Sequence, residues 1–367
     1  MAYTRPNPIK EYYIAYFDIL GYKEFFRQHP DKVPALLNSI HEAIQRTKEH
    51  INILSKSPLL GEYAKIEIKE RVFSDNILLC METTDLMIEP VRLLAFIKAV
   101  SDIQRGFILD YGLFVRGGIV KGHLSFNDDY IFGQGLIDVV EIEETAKYPR
   151  ILISPEIVKN LNDTKFCSQE AIEHALNTVE KLKNGESVSD EEVKQCTAAN
   201  SNCFLDKLFQ YLNEYIVIPW EDSCWVVNYL HIIHISNIID PSVIEQFQKA
   251  LRIASPKDAE VFIPETTKNQ GQEKITSDTI FKAHKETVQS KLKEYGNYQD
   301  IDLSNVKAAE LREKILKKYI WVMAFHNRVC RAVQKMDYFI STICNCDARF
   351  LKTTIAVIED EPKASTD

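Results

Sequence analysis

No apolar run in this 367-residue chain reaches the ~18 residues that a membrane-spanning helix needs. The longest such stretch, Tyr229 to Ile235, is interrupted by histidines and reads better as a strand. The polar opening MAYTRPNPIK lacks the features of a secretory signal, so a cytoplasmic location is expected. Positive charge is also in deficit: 44 Lys and Arg face 53 Asp and Glu, a net charge of -9. That balance argues against broad binding to nucleic acid or a membrane surface, while leaving room for a local basic pocket. Cysteine is too sparse for a disulfide scaffold, with eight in all. Cys80, Cys167, Cys196, Cys203, Cys224 and Cys330 are scattered singly, and Cys344-Asn345-Cys346 is spaced too tightly for the usual zinc knuckle. Reduced thiols are the expectation. Internal repeats are absent. With 45% hydrophobic residues the chain can bury a large core, and its length allows two domains.

The most informative stretch is Tyr12 to Phe26, YYIAYFDILGYKEFF. Its aromatic-rich apolar run reads as a buried strand that ends in one carboxylate, Asp18, before a break at Gly21. A carboxylate there must be paired or bind a metal, because burying it alone is costly. The loop Ile19-Leu20-Gly21-Tyr22 leads into a helix whose first amides would suit an anion. Together these features suggest a metal-nucleotide site, which needs a second carboxylate.

Asp75 is the candidate. Lys65 to Phe73 alternates as a half-buried strand, Ser74-Asp75-Asn76 makes a tight connection, and Ile77 to Met81 forms the return strand. Helical spacing marks residues 32 to 56, which Pro34 could interrupt, as well as Pro90 to Asp110 and Leu136 to Lys147. Strands are expected at Leu113 to Val120, Tyr130 to Phe132 and Arg150 to Ser154, with Pro155 opening a short helix.

The resulting order is that of an α+β protein: a ferredoxin-like or palm-type antiparallel sheet with helices on one face. In that topology Asp18 and Asp75 converge, giving the two carboxylates that a two-metal phosphoryl-transfer site requires. The expected division is a sheet domain over 1–235 with a helical insertion at about 162–212, a helical region over 236–348, and a polar tail over 349–367. The acidic run Asp190-Glu191-Glu192 reads as a solvated face, His326 as a packed core histidine, and Val306 to about Thr342 as the last helix.

Across residues 12 to 157 the chain resembles the class III nucleotidyl cyclases, the adenylate and guanylate cyclases. Their F-x-D-I-x-G-F strand is matched by Phe17-Asp18-Ile19-Leu20-Gly21-Tyr22, and their hairpin Gly-Asp by Ser74-Asp75. R-x-G-I-x-x-G is matched by Arg116 to Gly122, the aromatic-Gly step by Phe132-Gly133, and I-x-x-S-x-E by Ile151 to Glu156. The resemblance implies that Asp18, Asp75 and the Ile19 carbonyl hold two Mg²⁺ or Mn²⁺ ions. Gly21, Tyr22 and Lys23 would cradle a nucleoside triphosphate, and Arg116 and Lys121 are further pocket cations. The two base-reading positions fall on Arg71 and Tyr130. A guanidinium offers donors only, so Arg71 suits a base with carbonyl acceptors, similar to the bacterial pyrimidine cyclases of the anti-phage Pycsar systems. The resemblance further implies a head-to-tail homodimer with shared sites. The family's Asn and Arg on the fourth helix align with Ile137 and Glu141, and its late phosphate-binding Lys has no counterpart in Trp220-Glu221-Asp222. Two other readings stay open: a non-catalytic cyclase-fold module for dimerisation or nucleotide sensing, and a palm-type oligonucleotide synthase.

Overall fold

The structure, a computed structural model, describes residues 8–55, 67–85, 89–127, 130–220, 223–231, 277–296 and 306–340. The Cys344–Cys346 pair, Glu221-Asp222, residues 232–276 and the tail lie outside the described residues.

Strand β1 (Lys10–Leu20) runs through the middle of the sheet. Tyr13, Ala15, Phe17 and Ile19 point to one apolar face, and Tyr12, Ile14 and Tyr16 to the other. Because both faces are covered, the strand reads as one continuous apolar run. After it come α1 (Tyr22–Gln28), α2 (Val33–Ser55), the hairpin β2 (Ile68–Phe73) and β3 (Asn76–Glu82), α3 (Glu89–Tyr111) and β4 (Phe114–Phe126). In space the strands lie β2-β3-β1-β4, each antiparallel to its neighbour. That is the ferredoxin-like arrangement, with α2 and α3 packed on the Phe17 face. Leu36, Ile40, Ala43 and Ile44 form the buried stripe of α2. This helix runs unbroken through Pro34, which lies in the first turn, where its missing N–H forfeits no hydrogen bond.

The sheet then extends. β5 (Ile131–Phe132) folds back on β4, and β6 (Ile151–Ile153) pairs parallel to β4. Beyond it lie β8 (Trp225–Val227) and β7 (Val217–Pro219), both in antiparallel pairings. Between β6 and β7 the chain makes α5 (Pro155–Asp163), α6 (Gln169–Lys183) and α7 (Asp190–Ile216). The run Asp190-Glu191-Glu192 is the first turn of α7, where carboxylates favour the helix dipole. Glu192 also closes a capping box with Ser189.

Helices cover both faces of the sheet, not one. On the Tyr16 side lie α4 (Gln134–Thr145) and the two C-terminal helices, α8 (Ser277–Gly296) and α9 (Val306–Ala332). Phe281, Leu292, Ile320 and Phe325 of the C-terminal helices share a core with Phe114, Leu152 and Val226 of the sheet. The sequence expectation ran α9 on to about Thr342, but the helix stops ten residues earlier, at Ala332. Gln334 takes a left-handed φ of 57, and Lys335 N–H bonds Cys330 O at 2.8 Å while Gln334 N–H bonds Arg331 O at 3.2 Å. These two bonds form a Schellman terminus.

Candidate active site

The register places Asp18 directly opposite Asn76 of β3 on one side and Arg116 of β4 on the other. Asp75 lies at the tip of the β2–β3 hairpin, and its carbonyl accepts the Ile19 N–H at 2.8 Å, tying the tip to the end of β1. The turn works because Ser74 takes φ 60, a conformation that glycine adopts without strain. Asn76 ties the hairpin tip to β1: its amide donates to Asp75 Oδ1 at 3.4 Å, and its Oδ1 accepts the Tyr16 hydroxyl at 2.8 Å.

Around Asp18 the charges alternate. Arg116 Nε donates to Asp18 Oδ1 at 3.3 Å, and Arg116 Nη2 stands 2.5 Å from Glu143 Oε1 on α4. Burial pushes the Asp18 carboxyl above the ordinary range, and Arg116 draws it only part of the way back. Glu143 is raised for the same reason; Arg116 pulls it down while Asp18 pushes it further up. One guanidinium is thus shared between half-buried Asp18 and buried Glu143.

Gly118, Gly122 and Gly135 seat α4 closely enough to bring Glu143 in. A Cβ at Gly118 would meet Ile142 Cγ2 at 2.4 Å, and one at Gly122 would meet Gly135 Cα at 2.7 Å. A Cβ at Gly117 would strike Phe17 of β1 at 2.4 Å. The double glycine is therefore a close-packing device between β1, β4 and α4.

Gly21 caps α1 with φ 82, but that helix is only 7 residues long. Tyr22 packs on the core, and Lys23 is exposed. Arg71 and Tyr130 come together through one residue: Arg71 Nη2 donates to the Asn127 carbonyl at 3.1 Å, and the Tyr130 N–H donates to Asn127 Oδ1 at 2.8 Å. The Arg71 guanidinium also lies over the Phe126 ring, 5.2 Å from its centre. Lys121 is elsewhere. It pairs with Tyr13 in the ladder, on the opposite face from Asp18, and forms an ion pair with Glu11 at 2.8 Å. A surface hollow on that face is lined by Lys121, Tyr13, Glu89 and Asn160. Ile137 is 53% exposed, and Glu141 is exposed too.

Two site residues escaped the sequence reading. Glu143 shares a helix stripe with Val139 and Ala146, so a carboxylate on an apolar stripe was the available signal. Lys318 on α9 is within electrostatic reach of both Asp18 and Arg116. Nothing in the basic segment Lys314 to Lys318 distinguishes it.

Among the described residues no group of three or more His, Cys, Asp or Glu side chains could hold a metal ion. Asp18 and Asp75 nevertheless fit a hard divalent cation. Both are oxygen donors, and Mg²⁺ characteristically takes one or two carboxylates plus water and phosphate oxygens instead of a full protein cage. A bound cation would favour the ionised Asp18 carboxylate that burial disfavours.

No protein-family model matches the chain, and no curated protein does. Among solved structures, the adenylyl cyclase CyaB from P. aeruginosa is similar over 44% of this chain and 86% of that one, at 15% identity and a TM-score of 0.32. The fold assignment rests on strand order and register: an α+β protein built on a ferredoxin-like sheet, with appended C-terminal helices. Among the described residues no helix is long and apolar enough to cross a membrane.

Proposed function

We propose that this protein is a metal-dependent nucleotidyl cyclase, converting a nucleoside triphosphate to a 3′,5′-cyclic nucleotide and pyrophosphate. The observation that carries the proposal is the junction of Asp18 with the Asp75 hairpin tip, set within the sequence blocks that resemble the class III cyclases. Asp18 and Asp75, with the Ile19 carbonyl, are the residues that would hold Mg²⁺ or Mn²⁺. When bound, such ions activate the 3′-hydroxyl and neutralise charge developing on the α-phosphate. Arg116 holds Asp18 in place and is freed towards Glu143 when another cation takes the carboxylate. Gly21 to Lys23 receive the phosphates. Tyr16 and Asn76 keep the acidic tip in register by their hydrogen bond.

Arg71 and Tyr130 are the base readers in this proposal. Their shared anchor on Asn127 supports their acting as a unit. A donor-only guanidinium suits a base with carbonyl acceptors, which uracil, cytosine and guanine all offer, and the pyrimidine option matches a pyrimidine cyclase in anti-phage signalling. A homodimer with shared sites belongs to this proposal, as the family resemblance implies. Incubation of the full chain with ATP, GTP, CTP and UTP in turn, with Mn²⁺, tests the reading. A cyclic mononucleotide with pyrophosphate supports it, longer products favour a palm-type synthase, and no pyrophosphate with any substrate overturns both.

A non-catalytic module is the second reading. Its support is the solvent-facing Ile137 and Glu141, which stand where the family carries its ribose- and phosphate-steadying Asn and Arg.

A further inference from the structure

The inserted helices hold two free thiols against each other. Cys203 donates to the Cys167 sulfur, with the two Sγ atoms 3.0 Å apart, and the Cys167 thiol donates on to the Ala199 carbonyl at 3.5 Å. The pair is 36 positions apart in the chain. Cys167 lies in the segment that joins α5 to α6, one residue before Ser168, whose hydroxyl caps α6. Cys203 stands on α7, the return helix.

Contacts around the sulfurs hold them together. α7 turns one face to the joining segment through Cys203, Asp206 and Phe209, spaced three residues apart. The Asp206 carboxylate accepts the Phe166 N–H at 2.6 Å and the Cys167 N–H at 3.0 Å. Phe166 meets Phe209 edge-on, with ring centroids 5.5 Å apart, and both rings belong to the main core. The backbone of Cys167 is thus pinned one turn from Cys203. A disulfide holds its sulfurs at ~2.05 Å, so closing this pair takes an approach of about 1 Å. Cys196 shares the small core with the two thiols but donates to the Ala175 carbonyl of α6 at 3.7 Å. Access also differs within the pair, since Cys167 is buried and Cys203 is partly exposed. Exposure selects the sulfur that an oxidant reaches, and the buried neighbour then stands where it can resolve the product.

We propose that Cys167 and Cys203 are a site of reversible disulfide formation, with a peroxide as oxidant, that tethers the start of α6 to the middle of α7. The Cys203 sulfur attacks hydrogen peroxide, the O–O bond breaks, and Cys203 sulfenic acid and one water result. The Cys167 sulfur then attacks the Cys203 sulfur and forms the S–S bond. Hydroxide leaves and takes the Cys167 proton as a second water. Each thiol gives up one electron and one proton, and the peroxide is reduced to two waters. Glutathione reverses the step by thiol–disulfide exchange. The tether holds whether or not the Asp18 site turns over a nucleotide.

The test treats the reduced full chain with hydrogen peroxide, alkylates the remaining thiols and maps the peptides by mass. The expected result is a linked peptide of Cys167 and Cys203, a loss of two titratable thiols from the eight of the reduced chain, and full recovery with reduced glutathione. Cys167→Ser should lose the link and leave a Cys203 sulfenic acid that dimedone captures. Cys203→Ser should lose the link and take up no dimedone at Cys167, and Cys196→Ser should form the link as the unmodified chain does. On oxidation, hydrogen exchange of the α6 amides should slow, because a cross-link makes opening of the helical pair rarer. Peroxide that leaves both thiols free, or that links either one to another cysteine instead, overturns the site. A link between Cys167 and Cys203 with unchanged α6 exchange overturns the tether. If a serine variant fails to fold, the peptide map of the unmodified chain decides by itself.

Discussion

Acidification should loosen the packing of α8 and α9 through two buried histidines. His326 Nε2 faces the Tyr338 carbonyl at 2.9 Å, and its Nδ1 faces His284 Nδ1 at 2.9 Å. A carbonyl only accepts, so His326 Nε2 carries the proton and its Nδ1 is the acceptor. His284 Nδ1 must then donate, leaving its Nε2 to accept the Tyr229 hydroxyl at 3.0 Å. With both rings neutral every member of the chain is satisfied, and burial disfavours adding a charge to either ring. Burial lowers both histidines, with nearby Lys285 adding to the effect at His326 and His326 itself adding to it at His284. His326 is held at about 4 against an ordinary 6.5, which at ~1.4 kcal/mol per pH unit amounts to about 3 kcal/mol. Because the folded value is the lower one, the unfolded chain takes up protons first as pH falls. The stability is present above about pH 6.5 and is lost between there and about pH 4. Urea unfolding followed by fluorescence of Trp321, which stacks on Phe325 in this core, measures it. Asp18 and Glu143 titrate in the opposite sense, so the informative quantity is the difference between the unmodified chain and His326→Gln, whose amide can donate and accept but not titrate. The difference in unfolding free energy should change by about 3 kcal/mol across the window. A change below ~0.5 kcal/mol would refute the neutral-chain argument.

Other expectations concern the site and its packing. Asp75→Asn should abolish pyrophosphate release while leaving urea stability within about 0.5 kcal/mol, because the fold uses the Asp75 carbonyl and not its carboxylate to hold Ile19; retained turnover removes Asp75 from the metal site. Arg71→Lys should alter the preference among the four triphosphates more than the Mn²⁺ dependence, since the planar fork is lost and the charge kept. An unaltered preference would end the base-reading assignment. Gly118→Ala should destabilise the chain by roughly 1–3 kcal/mol in urea denaturation, because the new methyl meets Ile142 at 2.4 Å. A neutral result would mean that α4 is not held tightly on β4.

Much of the architecture was legible locally. The apolar run ending at Asp18, the alternating hairpin that carries Asp75 and the helical stripes of α2 and α3 each declare themselves within a few residues. Period and turn chemistry are properties of neighbouring side chains. The ferredoxin-like strand order followed from the sequence of those elements. Pro34 shows the limit, because it reads as a break until its place in a first helical turn is known.

The sequence by itself determined which strand carries Asp18, which turn carries Asp75, and that the sheet order brings them near each other. Tertiary structure alone decided what surrounds them: Arg116 shared between Asp18 and Glu143, and Lys121 turned to the other face. The physical reason is one of range. Hydrophobic period specifies which face of an element is buried, whereas the partner of a buried charge depends on which elements pack together and how closely. At this site the closeness comes from glycines that let α4 lie almost on the backbone of β4.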